Sequence, residues 1–166
     1  NSRPSEQKKR ALGAYFTPDA VTRVLCDWAI RQRGDLVLEP SFGGCGFLAS
    51  AAARLRTLGA RNPWRNLYGC DIQKSAFDYL PASLRNDYDQ HFLLCDFLAL
   101  RRPPGWPTQF NAVVGNPPYV SNHNLSITKR KIAHRALGLA KDATTVPLTA
   151  SLWAYFVVHS IGYLAP

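Results

Sequence analysis

Three features of the 166-residue sequence predict an α/β fold, a parallel sheet with helices on both faces. Short apolar runs of strand length alternate with longer helical runs, the order that builds parallel βαβ units. A glycine-rich turn, Phe42 to Gly46, joins the first apolar run directly to a helix. The polar residues that stand out, Glu39, Asp71, Asp96 and Asn116, each fall at the end of an apolar run. Ligands of such sheets bind beyond those strand ends, near the switch in strand order.

The elements follow in chain order. Thr17-Pro18 opens a first helix, since threonine can cap and proline suits the first helical position. Val21, Val24, Leu25, Trp28 and Ala29 then repeat at helical spacing, and Gly34 supplies a stop. Leu36 to Leu38, ending in Glu39-Pro40, reads as a buried strand. Phe47, Leu48, Ala51, Ala52, Leu55 and Leu58 give a second helix, closed by Gly59. Asn66 to Ile72 reads as a second strand, Lys74 to Leu80 as a helix cut by Pro81, and His91 to Phe97 as a third strand. Ala112 to Val114 is a fourth strand running into Gly115-Asn116-Pro117-Pro118-Tyr119. Val120 to Pro147 is polar, basic and weakly patterned, and reads as a long loop, functional or mobile. Leu148 to Leu164 is a last helix, amphipathic through Leu152, Tyr155, Phe156 and His159.

Composition narrows the class. Hydrophobic residues make up 46% and charged residues 19%, which is globular rather than disordered usage. No apolar run approaches the ~18 residues of a membrane span, and the polar opening NSRPSEQKKR has no apolar stretch behind it, so it does not read as a secretory signal. A cytoplasmic protein without membrane association is expected. There is no methionine, even at position 1, so the chain reads as an internal piece of something longer. Cys26, Cys45, Cys70 and Cys95 form no CxxC pair, so they read as reduced thiols and no metal site is expected. Twenty Lys and Arg against 11 Asp and Glu leave a formal charge of +9. The densest basic cluster, Lys129, Arg130, Lys131, Arg135 and Lys141, suits a phosphate backbone, though a solvated surface has the same composition.

Four motifs carry chemistry. In Glu39 to Phe47 a strand enters a glycine turn and then a helix, whose N-terminus favours negative charge. Gly44, Gly46 and Ala49 match the dinucleotide pattern G-x-G-x-x-A, which leaves a nicotinamide-dependent oxidoreductase as a distant alternative. Glu39 argues instead for a ligand with an amine or hydroxyls to donate. Asp71, ending the second strand, is placed to accept from ribose hydroxyls, and Ile72 to pack on a purine face. Asp96 can accept from an exocyclic amine, with Phe97 covering a base. Asn116-Pro117-Pro118-Tyr119 is the strongest signal. Two prolines after a buried strand stiffen the backbone, fixing an amide oxygen and a carbonyl oxygen toward one point. Two such acceptors suit a planar amine, and Tyr119 offers a stacking surface.

Together these residues resemble the S-adenosylmethionine-dependent amino-methyltransferases of DNA in their gamma motif order, members of which occur in type I and type IIG restriction-modification systems. Gly13-Ala14-Tyr15-Phe16-Thr17-Pro18 is similar to the family's N-terminal cofactor motif, where Tyr15 and Thr17 would help hold the methionine moiety. Glu39, Pro40, Gly44 and Gly46 resemble its first core motif, Asp71-Ile72 its ribose motif, and Asp96-Phe97 its adenine motif. The resemblance implies a Rossmann-like class I methyltransferase fold, S-adenosylmethionine as cofactor, double-stranded DNA as partner and no metal. It implies methyl transfer to N6 of a flipped-out adenine, with Asn116 and Pro117 holding the amine and Tyr119 stacked on the base. Methylation of an RNA base or a protein glutamine stays open, since those enzymes also use Asn-Pro-Pro-Tyr. Residues 1–12 read as a basic N-terminal segment and 13–166 as a partial catalytic domain of about four strands. The target-recognition domain, and any specificity or nuclease module, would lie outside the chain. Lys129, Arg130, Lys131 and Arg135 are expected to face the DNA backbone.

Overall fold

Residues along each strand alternate between two hydrophobic clusters, and that alternation sets the architecture. The computed structural model describes residues 17–81, 84, 90–137, 147 and 149–166, with the side chains of Asn122, Arg130 and residues 134–137 outside the description. Strands β1 (Val37–Glu39), β2 (Leu67–Asp71), β3 (Phe92–Leu94) and β4 (Ala112–Val113) pair in parallel in the order β3-β2-β1-β4. Val37, Leu67 and Ala112 join one cluster, while Leu38, Tyr68 and Cys70 join the other. A sheet buried on both faces needs near-continuous apolar strands, which is why these short runs lack polar alternation.

Helices α1 (Asp19–Ala29) and α2 (Gly46–Thr57) cover the first face, and α3 (Ile127–Leu137) and α4 (Leu152–Ile161) the second. The helix predicted from Thr17 is present, but Thr17 does not cap it. Pro18 holds the cap position and no side-chain bond closes the helix there. The stripe that predicted α1 also faces outward, with Val21, Val24, Leu25 and Trp28 exposed. The buried residues are Thr22 and Cys26 instead. Thr22 Oγ1 lies 2.7 Å from Ser50 Oγ, and the Cys26 thiol donates to the Phe47 carbonyl at 3.7 Å, so α1 is tied to α2 by polar contacts.

Three further expectations change. Lys74–Tyr79 is a 3-10 helix rather than an α-helix, because Leu80 turns extended ahead of Pro81 and leaves too few residues for α-helical turns. The third strand stops at Leu94, since the Asp96 carboxylate accepts from the Leu98 N–H and starts a 3-10 turn at Phe97–Ala99. The stretch read as a loop from Val120 contains α3, where Ser126 Oγ accepts from the Lys129 N–H at 3.2 Å. Beyond α4 the chain lies beside the approach to β4 in an isolated parallel bridge, Phe110 with Leu164. All four cysteines are free thiols, and no helix of the described residues is long and apolar enough to cross a membrane.

Candidate active site

Strand order reverses between β1 and β4: from β1 the chain goes outward to β2 and β3, then returns to β4 on the other side. That switch leaves a crevice beyond the carboxyl ends of β1 and β4. Glu39 ends β1 and Asn116 follows β4, so the fold brings the first and fourth motifs to one place. Gly115 marks the contact. A Cβ there would stand 3.5 Å from Pro40 Cδ and 3.7 Å from Glu39 Cγ, so the two loops touch.

Glu39 is only 2% exposed. The Leu48 N–H of the first turn of α2 donates to its carboxylate, yet Oε2 has no hydrogen-bond partner. Burial holds the Glu39 carboxyl well above the usual carboxylate range; the Leu48 bond opposes this, and the nearby Asp71 charge adds to it. A buried acceptor without a donor costs free energy until a ligand supplies one. The same loop carries a second such atom, Ser41 Oγ.

Asp71 organises the glycine turn. Its Oδ2 accepts from the Gly43 N–H at 2.9 Å, and its Oδ1 from the Gln73 N–H at 2.8 Å. Gly43 (φ 46°) and Cys45 (φ 61°) both adopt left-handed backbone, and Cys45 stands at the N-cap of α2. A non-glycine residue there is strained, the kind of strain that clusters at ligand sites. Burial, with the charges of Glu39 and Asp71 adding to it, pushes the Cys45 thiol up to about 12, so it stays protonated and unreactive at neutral pH. Gly44 and Pro40 lie in the same turn, and Gly46 is the first residue of α2. A Cβ on Gly46 would meet only Thr22 Cγ2, at 3.8 Å. Ile72 projects from the end of β2, 58% exposed.

The third motif is arranged differently from expectation. Phe97, expected over a base, is 1% exposed and packs in tilted or edge contacts with Phe156, His159 and Tyr163. It belongs to the core because the 3-10 turn points it into the second cluster. Asp96 stays half-buried at the rim, and its Oδ2 pairs with the ammonium of Lys129 from α3. Lys129 is therefore paired with Asp96 in the free chain. Lys131 is exposed on the same helix. Tyr15 lies outside the described residues, as do the Arg130 and Arg135 side chains.

Asn116, Pro117 and Pro118 are half-buried, and Tyr119 is 56% exposed. Asn116 Nδ2 donates to Thr17 Oγ1 at 3.2 Å, a bond between residues 99 apart in sequence. The Val120 N–H donates to the Pro118 carbonyl, and the Val120 carbonyl accepts from the Leu152 N–H at the start of α4. The tetrapeptide is thus held at both ends. Sequence reasoning missed the Lys129–Asp96 pair, the Thr17–Asn116 bond and the unpartnered Ser41 hydroxyl. Only Ser126 gave a local signal for the helix that carries Lys129.

Comparison with known proteins places this arrangement. A family model described as N-6 DNA Methylase matches residues 2–166. The type II methyltransferases M.HincII and M.HindII of Haemophilus influenzae are each 29% identical over 126 residues, 76% of this chain. The chain spans only 21% and 20% of their lengths. Among solved structures, the type I restriction-modification methyltransferase subunit from Streptococcus thermophilus is similar with a TM-score of 0.65 at 17% identity, over 96% of this chain and 34% of that one. The ATP-dependent type ISP restriction-modification enzyme LlaBIII, bound to DNA, is similar with a TM-score of 0.58 at 13% identity, over 93% and 14%. At these identities the structural likenesses speak for the fold alone.

Proposed function

The chain belongs to the N-6 DNA Methylase family and has the class I methyltransferase fold, and on that premise we propose that it binds S-adenosylmethionine and methylates N6 of adenine in DNA. The observation that carries this reading is the convergence of an unpartnered, buried Glu39 oxygen and the Asn116 amide at the switch in strand order. The residues present suit the cofactor. Glu39 Oε2 would accept from its ammonium group, and the left-handed cap and N–H groups opening α2 would face its carboxylate. Asp71 would meet the ribose, Ile72 the adenine face and Asp96 the adenine amine. Tyr15 and Thr17 would border the methionine end. When bound, the cofactor supplies a sulfonium methyl, an electrophile that is already charged.

The chain's own residues then need only hold a nucleophile. Asn116 Oδ1 and the Pro117 carbonyl would accept the two hydrogens of an exocyclic amine, keeping its lone pair directed at the methyl group. Pro118 stiffens that backbone. Exposed Tyr119 would stack on a base turned out of the duplex. Lys131 on α3, with Arg130 and Arg135 of the same helix, would meet phosphates, and the +9 charge supports a polyanionic partner. In this reading the enzyme works in a restriction-modification setting, and specificity or nuclease modules would be separate from these residues.

Calorimetry on this chain tests the cofactor assignment. S-adenosylmethionine should bind the parent, and Asp71→Ala should weaken it strongly by releasing the Gly43 N–H and opening the glycine turn. Binding of a nicotinamide dinucleotide in its place would return the oxidoreductase reading.

A further inference from the structure

We propose that Thr17 is a positioning residue for the Asn116 carboxamide, setting which end of the amide meets the target amine. The inference rests on the methyl-transfer reading above and goes beyond it. A carboxamide has an acceptor at one end and a donor at the other. Only the oxygen end can receive an amine hydrogen; the reversed amide would set N–H against N–H. The Pro117-Pro118 backbone fixes where the Asn116 side chain starts, but its terminal torsion is broad and roughly two-fold, so the backbone alone does not choose between the ends. A partner must.

Thr17 is that partner by geometry. A hydroxyl can accept from one end of an amide or donate to the other, and here it accepts: Asn116 Nδ2 donates to Thr17 Oγ1 at 3.2 Å, which turns Oδ1 away from Thr17. The hydroxyl is not spent on the helix it precedes, since α1 has Pro18 at its cap and no side-chain cap bond. A β-branched side chain is also stiff at its first torsion, so the oxygen stays where α1 puts it. And α1 is anchored. Thr22 and Cys26 are buried and bonded to Ser50 and Phe47 of α2, the helix that leaves the glycine turn. The amide orientation is therefore referenced to the same helix pair that supports the candidate cofactor turn.

Thr17→Val keeps the shape and removes the acceptor; Thr17→Ser keeps the acceptor. Two measurements separate this inference from the reading beneath it. On this chain, with ¹⁵N-labelled asparagine side chains assigned through Asn116→Ala, hydrogen exchange at Asn116 Nδ2 should speed up in Thr17→Val and return toward the parent in Thr17→Ser. In the longest natural polypeptide carrying this chain, Thr17→Val should lower the single-turnover methylation rate roughly three- to tenfold, the worth of one hydrogen bond. The loss should persist at saturating S-adenosylmethionine, and Thr17→Ser should restore most of the rate. Unchanged exchange and rate in Thr17→Val would overturn the proposal. A loss confined to cofactor affinity would also overturn it, assigning Thr17 to the cofactor instead. A parent that transfers no methyl group to adenine would sink the underlying reading while the exchange experiment still tested the contact.

Discussion

Replacing Glu39 by glutamine tests whether a desolvated acid waits in the crevice. In the free chain the Glu39 carboxyl is held above its ordinary range, first by burial, with the Leu48 N–H opposing and the Asp71 charge adding. An unfolded glutamate titrates near ~4.3. Above that pH the unfolded chain has released a proton that the folded chain still holds. Folding stability must then fall with rising pH, by about 1.4 kcal/mol per pH unit from this one group. The loss starts near the unfolded value and ends once pH passes the folded one. Glu39→Gln cannot titrate, so its stability curve should lack this decline. The assay is urea denaturation of parent and variant at pH 5, 6 and 7, comparing the slopes of stability against pH. The parent curve should fall more steeply, and the two should converge toward acid pH. A ligand that donates a cationic amine to Oε2 should flatten the parent curve. Parallel curves would refute the reasoning, because they would mean that Glu39 is ionised and satisfied without a ligand.

Two more variants test how the site is built. Gly69→Ala in the middle of β2 places a methyl 2.9 Å from the Glu39 carbonyl oxygen and 3.0 Å from Phe42 Cδ1. That overpacking should cost about 1–3 kcal/mol and lower Tm by roughly 3–10 °C, read by thermal denaturation; an unchanged Tm would show that the β1 end has slack. Lys129→Met removes the ammonium paired with Asp96 Oδ2. If that ammonium occupies the place of the cofactor's adenine amine, S-adenosylmethionine should bind about fivefold tighter, the worth of a partly buried ion pair no longer broken on binding. Weaker binding by calorimetry would make Lys129 part of the ligand site itself.

The parts of this molecule legible in sequence are those with short-range causes. Val37-Leu38 and Leu67 to Asp71 read as strands because burial on both faces leaves them apolar throughout. The glycine turn, the tetrapeptide and their placement at strand ends followed from residue types alone. Helix α1 was legible by its period, but periodicity says which residues share a face, not what that face meets. Val21, Val24, Leu25 and Trp28 point outward while Thr22 and Cys26 bind α2. Helix α3 was missed because its apolar residues are few, with Ile132 half-buried and Ala133 buried. Its Lys, Arg, Ala and Leu are good helix formers, and the Ser126 cap was the available cue. The site's hydrogen bonds were illegible for a different reason. Asp71 meets Gly43, Lys129 meets Asp96 and Thr17 meets Asn116 across 28, 33 and 99 positions, so only the fold makes them neighbours. That is also why Phe97 was misplaced: the Asp96 side chain starts a turn that rotates it into the core.

The central claim is that Asn116 presents an exocyclic amine of DNA adenine to a methyl donor. The most direct measurement supplies methyl-labelled S-adenosylmethionine, with DNA, RNA and protein together, to the longest natural polypeptide carrying this chain, then identifies the labelled product after hydrolysis. The account predicts N6-methyladenine from DNA. It predicts a loss of about 10²–10³-fold in Asn116→Ala, the scale expected for one group that stabilises a transition state, with cofactor binding kept. Label in a cytosine, in RNA or in a protein glutamine, or full activity in Asn116→Ala, would contradict it.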